Sequence, residues 1–147
     1  MSELTFEHIN LNQVDPNASS VPDGPYNFQV AGIYPKTYTV KSGENVGSTG
    51  NYVSVRFAIT GDDRYTGRST FETFFPNKAS AVMFRKIMDA TGIVQGDGQS
   101  IEEWLRELQT SGAAFASSLQ MREDKQKDGS TKPTQHLNLW EVAPSNL

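Results

Sequence analysis

The run "DDRYTGRSTFETFF", residues 62–75, sets two arginines, a tyrosine and three phenylalanines side by side. Rings alternating with guanidinium groups suit one kind of ligand, something flat and negatively charged. Each ring offers a face on which a base can stack, worth roughly 1–3 kcal/mol, and each cation can track a phosphate. The rest of the chain concentrates the same chemistry. Ten of the fifteen aromatic residues lie between Tyr26 and Phe75, the half that also holds Lys36, Lys41, Arg56, Arg64 and Arg68. Catalytic chemistry is poorly served by comparison. His8 and His136 are the two histidines, there is no cysteine, and "GSTGN" lacks the lysine and following helix of a phosphate-binding loop. Two isolated histidines make no metal site. The sequence therefore predicts a protein that is not an enzyme and needs no cofactor.

The elements that would position these side chains are legible as changes of period. Residues 1–21 are polar and read as a flexible or loosely docked arm, ahead of a single domain over 22–147. The turn "PDGP" launches a strand over 26–34, with Tyr26, Phe28 and Val30 on one face and Asn27, Gln29 and Ala31 on the other. Residues 35–51 read as a long loop or frayed hairpin. A second strand over 52–59 places Val53, Val55, Phe57 and Ile59 opposite Tyr52, Ser54 and Arg56. A turn at 60–67 leads to a third strand at 68–75. Helical spacing takes over from Lys78 to Thr91, with Gly92 as the stop. Ser100 and Glu103 resemble a capping box opening a second helix to about Leu108, with Ile101, Trp104, Leu105 and Leu108 as its buried face. Strands over 114–122 and 135–142 follow, joined by a polar loop that turns at Asp128-Gly129.

Three strands, a helical excursion and two strands match a small, partly closed Greek-key barrel, the OB-fold. The alternative is an open α+β sheet with two helices on one face. On an OB-fold the second and third strands and the 1–2 and 4–5 loops form the binding groove. Tyr52 and Arg56 would share the polar face of strand two. Lys36, Tyr38 and Lys41 would lie in the 1–2 loop, and Arg64, Tyr65 and Arg68 at the 2–3 turn. Arg122, Lys125, Lys127 and Lys132 would cluster at the 4–5 loop. Phe57, Phe71 and Phe75 are expected in the core, which turns Phe74 outward as a further platform. Trp140, alternating away from Leu137 and Leu139, is another.

The net charge of −4 argues against a generic polyanion binder. Its distribution reopens the case. Residues 1–24 carry Glu3, Glu7, Asp15 and Asp23 with no Lys or Arg, and 95–110 carry four acids against one arginine. The remainder has twelve basic residues to nine acids. No apolar run approaches the roughly 18–20 residues of a membrane span, and the first residues lack the pattern of a signal peptide. A soluble, cytoplasmic protein is expected.

Four segments together resemble a known family: "PDGPYNFQV" (22–30), "GNYVSVRFAI" (50–59), "RYTGRSTFETFF" (64–75) and "ASAVMFRKIMDATGI" (79–93). The order is a Pro/Gly turn into a strand, a Tyr-led strand, a Tyr-x-Gly-Arg turn, an aromatic strand and a helix. It is similar to that of a bacteriophage family of OB-fold, single-stranded-DNA-binding proteins once catalogued as a domain of unknown function. The likeness covers about half the chain. It implies a protein that coats single-stranded DNA during phage replication or recombination in a bacterial host cell, with replication or recombination proteins as further partners. The chain departs from housekeeping single-strand binders in closing on "EVAPSNL" rather than an acidic, Phe-ended tail. A rival expectation is a phage structural or adaptor protein whose barrel docks a protein partner.

Overall fold

The computed structural model describes Asn10, Asn12 and residues 21–147. The element order is β1 (Gly24–Thr39), β2 (Thr49–Thr60), β3 (Ser69–Phe74), α1 (Lys78–Thr91), α2 (Ile101–Ser111), β4 (Ala114–Lys125), β5 (Thr131–Leu137) and β6 (Ala143–Pro144). The fold is mainly β. One antiparallel sheet runs β3-β2-β1-β4-β5, with β6 added to β4. The arm expected over 1–21 lies outside the described residues except at Asn10, Asn12 and Val21. Val21 itself is buried in the core, and its carbonyl accepts a bond from the Gln135 side chain.

Both helices begin and end where their caps dictate. Asn77 Oδ1 accepts the Ser80 N–H at 2.8 Å to open α1, and Ser100 Oγ accepts the Glu103 N–H at 3.1 Å to open α2. Gly92 and Gly112 close them in the left-handed conformation, at φ 74° and 68°. Phe84 and Ile87 of α1 and Trp104, Leu105 and Leu108 of α2 enter one core with Phe28, Val55, Phe57, Phe74 and Phe115. The Trp104 indole N–H donates to the Ile93 carbonyl at 2.7 Å, so the largest buried ring leaves no polar atom unpaired. Ile101, expected inside, is exposed at the first position of α2, where the buried face begins only at Trp104.

Three strand assignments change. Of the two readings of residues 35–51, the hairpin holds and the long loop does not, because β1 continues to Thr39 and β2 starts at Thr49; Lys36 and Tyr38 are ladder residues opposite Tyr52 and Gly50. The last long strand ends at Leu137, and Leu139 and Trp140 follow it in a turn. β3 has the opposite parity from that expected. Phe74 points inward at 3% exposure, while Phe71 and Phe75 are 52% and 46% exposed. The cause is the ladder: Phe74 pairs with Val53 and Glu72 with Val55, both inward, whereas Phe71 pairs with Arg56 on the outer face. Phe74 then meets Phe84 at 4.5 Å between ring centroids.

That parity buries Glu72, which is satisfied by the far edge of the sheet. Its carboxylate accepts the Leu137 N–H at 2.8 Å, and His136 Nδ1 lies 3.2 Å from both of its oxygens. Thr70 Oγ1 donates to the Gln135 carbonyl at 2.7 Å. Side-chain bonds therefore draw the edge strands β3 and β5 together, although the backbone ladder does not run between them.

Glu72→Ala should lower the folding free energy by about 1–3 kcal/mol, because the Leu137 N–H is left unpaired in the interior. Burial holds the Glu72 carboxyl above its ordinary value of 4.5 against the opposing pull of Leu137, His136 and Arg122. A raised carboxyl pKa contributes stability that is present below the unfolded value and lost as pH rises through the folded one. Glu72→Gln has no such dependence. Its melting temperature relative to the native protein should climb as pH goes from 4.5 toward 7, and a difference that stays flat in thermal melts would contradict the assignment.

Candidate nucleic-acid interface

The outer face of β1, β2 and β3 depends on one irregularity. Val30 pairs with Phe57 and Gly32 with Arg56, so Ala31 is an extra residue in β1. Before this bulge the inward residues are Phe28 and Val30; after it the inward residue is Ile33. Tyr34, Lys36 and Tyr38 thereby emerge on the outer face with Tyr52, Ser54 and Arg56 of β2 and Phe71 and Thr73 of β3.

The rings on this face touch one another. Tyr52 stacks on Phe75 at 5.1 Å, Tyr38 lies 6.1 Å from Tyr52 and 5.8 Å from Phe75, and Tyr34 lies 5.8 Å from Phe71. Two glycines let the tyrosines lie down against the sheet. A Cβ on Gly50 would come within 2.6 Å of the Tyr38 ring, and one on Gly32 within 2.6 Å of the Tyr34 hydroxyl. Large apolar surface left in contact with water at this density marks an interaction site. Lys36 is exposed on β1 opposite Tyr52, and Lys41 is exposed in the β1–β2 turn just beyond Tyr38.

Arg56 is not a free cation. Its Nη2 donates to the Ala31 carbonyl at 3.0 Å, and Gln109 Nε2 of α2 reaches the same oxygen at 3.1 Å. The bulge releases that carbonyl from the ladder, and these two side chains satisfy it. Arg56 is thus a brace for the bulge as well as a charge beneath the aromatic face.

The residues of the 2–3 turn do not join this face. Tyr65 is half-buried against the core, edge-on to Tyr26 at 6.1 Å. Its backbone N–H and that of Arg64 both donate to Asp62 Oδ1, at 2.8 and 2.9 Å, which fixes the turn. Arg68 borders a recess shared with Val21, Phe28 and Gln135. Arg64 and Tyr65 lie past Thr60, and at about 3.3 Å per residue Thr60 is itself about 26 Å along β2 from Tyr52, whereas Arg68 has folded back onto β2, its carbonyl accepting the Ile59 N–H at 2.8 Å. Arg64 and Tyr65, expected to flank the cleft of Tyr52 and Arg56, are set apart from Tyr52 by the length of β2, and Arg68 is turned away by its parity, which it shares with the inward Glu72 and Phe74.

Of the β4–β5 residues, Lys125, Lys127 and Lys132 are exposed on the hairpin. Since β5 runs alongside β3 from Gln135 at Thr70 to Leu137 at Glu72, this tip lies toward Arg68 rather than Tyr52. Arg122 stands apart, half-exposed and 3.8 Å from Glu72. Next to it His136 Nε2 is 2.6 Å from Asp124 Oδ2. Bonds from Thr134 and His136 hold the Asp124 carboxyl below its usual range. Trp140 is 51% exposed in the turn after β5. Among the described residues no cluster of metal-ligating side chains is present, and no helix is long and apolar enough to cross a membrane.

The structure therefore gathers Lys36, Tyr38, Tyr52 and Arg56, with Lys41 at their margin, and adds Tyr34, Phe71 and Phe75. The added phenylalanines carried a signal in the sequence, since the alternation "RSTFETFF" permits either parity. Tyr34 carried none, because its facing depends on the bulge. No family model, curated protein or solved structure matches the chain.

The brace separates two roles of positive charge. Arg56→Glu should lower stability by about 1–2 kcal/mol, the scale of a hydrogen bond to a charged group. Lys36→Glu, on the same face but exposed, should leave the melting temperature nearly unchanged. Equal melting temperatures for the two variants would remove the structural role of Arg56.

Proposed function

We propose that the chain is a non-catalytic OB-fold protein that binds single-stranded DNA without sequence preference, on the outer face of β1–β3. The observation that carries this reading is the set of rings on one face, exposed Tyr34, Phe71 and Phe75 and half-buried Tyr38 and Tyr52, in two groups (Tyr34 with Phe71, and Tyr38 and Tyr52 with Phe75) flanked by Lys36, Lys41 and Arg56. Such a face stacks bases of any identity, because every base has a π-face, while the flanking cations meet phosphates. Two features of the fold favour the OB type. The helices lie between β3 and β4, and Thr70 and Glu72 tie the two sheet edges toward closure. The resemblance of residues 22–93 to phage single-strand binders supports a role in phage replication or recombination inside a bacterial cell.

Few cations border the face, so stacking supplies most of the affinity. With two or three phosphate contacts, log K should fall against log salt with a slope of about −1.5 to −2. A labelled oligo(dT) followed by fluorescence anisotropy at two salt concentrations measures this. Phe71→Ala and Tyr52→Ala should each weaken binding by about 1–3 kcal/mol, and Phe71→Ala, being exposed, should leave the melting temperature unchanged. No anisotropy change at low salt overturns the reading and leaves the aromatic face as a protein-docking surface. Competition with the matching RNA oligomer shows whether the 2′-hydroxyl is discriminated.

A further inference from the structure

A second recess opens across the edge of β3. It encloses about 220 Å³ between β3, β4 and the turn after β5. That is below the roughly 300 Å³ at which pockets for drug-sized ligands begin, and suits one ring system rather than a whole ligand. Its floor is apolar, made by Phe74, Leu137 and Leu139, all buried. Its rim brings Gln120, Arg122 and the exposed Trp140. The Trp140 backbone is fixed by its N–H donating to Asn138 Oδ1 at 3.3 Å, and the turn is closed by the Glu141 N–H on the Asn138 carbonyl at 3.1 Å.

Electrostatics decides which part of a nucleotide this recess accepts. Glu72 lies in the wall with its carboxylate facing Arg122, so the cation is offset by a buried acid. A phosphate would meet that carboxylate at close range in a partly desolvated site. An uncharged heteroaromatic ring meets an apolar floor, an indole to stack on, and amide and guanidinium groups of the type that pair with base edges. Position agrees with chemistry. Thr73 lines the recess and also sits on the outer face between Phe71 and Phe75. A strand crossing the aromatic face therefore passes the mouth of the recess.

We infer that the recess between β3, β4 and Trp140 is a nucleobase subsite, taking one base of the bound strand out of the stack laid along the outer face. The inference rests on the single-stranded-DNA reading above. It assigns Trp140 a stacking role and Gln120 and Arg122 the edge contacts, while Tyr34, Tyr38, Tyr52, Phe71 and Phe75 remain the platform.

Trp104 is buried and Trp140 exposed, so emission excited at 295 nm reports on the recess, and anisotropy of a labelled oligo(dT) reports on binding as a whole. The expected result is quenching of tryptophan emission on binding. Trp140→Ala should abolish that quenching and weaken binding about five- to hundredfold, and Gln120→Ala should weaken it to a smaller extent. An oligomer carrying one abasic position per site length should bind the native protein less tightly than the intact oligomer, yet lose little further with Trp140→Ala. Normal anisotropy binding with unmoved tryptophan emission, and affinity within twofold for both variants, overturns the subsite and leaves the platform standing. No anisotropy change with any oligomer overturns both.

Discussion

One extra residue in β1 governs what this protein presents to its surroundings. Side chains alternate along a strand, so a single insertion moves everything beyond it to the other face. Ala31 is that insertion. Were Ala31 taken into the regular alternation instead of bulging, Ile33 would face solvent and Tyr34, Lys36 and Tyr38 would face the core. The bulge frees the Ala31 carbonyl from the ladder, and a buried carbonyl without a partner is destabilising. Arg56 and Gln109 both bond to it. The same arginine that lends charge to the outer face therefore holds the irregularity on which that face depends.

A second constraint acts from the other edge. Burying a carboxylate is unfavourable unless donors meet it. Glu72 is met by the Leu137 N–H and flanked by His136 and Arg122, all on the β4–β5 side. The inward Glu72 and Phe74 force Phe71, Thr73 and Phe75 outward. The polar residue that looks out of place in the interior thus links the two edges of the sheet, sets the parity of β3 and walls the recess beneath Trp140.

The surface divides along the length of the strands. At one end lie rings with a few cations, the tyrosines lying against Gly32 and Gly50. At the other end lie Arg64, Arg68, Lys125, Lys127 and Lys132, interspersed with Asp62, Asp63, Asp124 and Asp128. Intermixed acids lower the net field at that end. The lower outer face is also covered: Ser145 Oγ and the Asn146 N–H both bond to Asn27 Oδ1 at 3.1 Å. The open part of that face is aromatic, and it is on these rings rather than on net charge that the proposed binding of a nucleic-acid strand by an acidic chain rests.

The amino-acid sequence by itself determined the local elements: a period-two run at 26–30 and another at 52–59, a helix over 78–91, and its stop at Gly92. It also determined that Tyr52 and Arg56 share a face, since both lie on one uninterrupted strand. These follow from backbone preferences that act within a few residues. Tertiary structure decided the rest. The facing of Tyr34 and Tyr38 required a bulge held by a helix residue far along the chain, and the inversion that buried Phe74 and exposed Phe71 required a donor on β5 for Glu72. The distance between Tyr65 and Tyr52 followed from how far β2 runs. Each of these depends on partners remote in sequence, whose energies favour one register over another only after the chain has closed on itself.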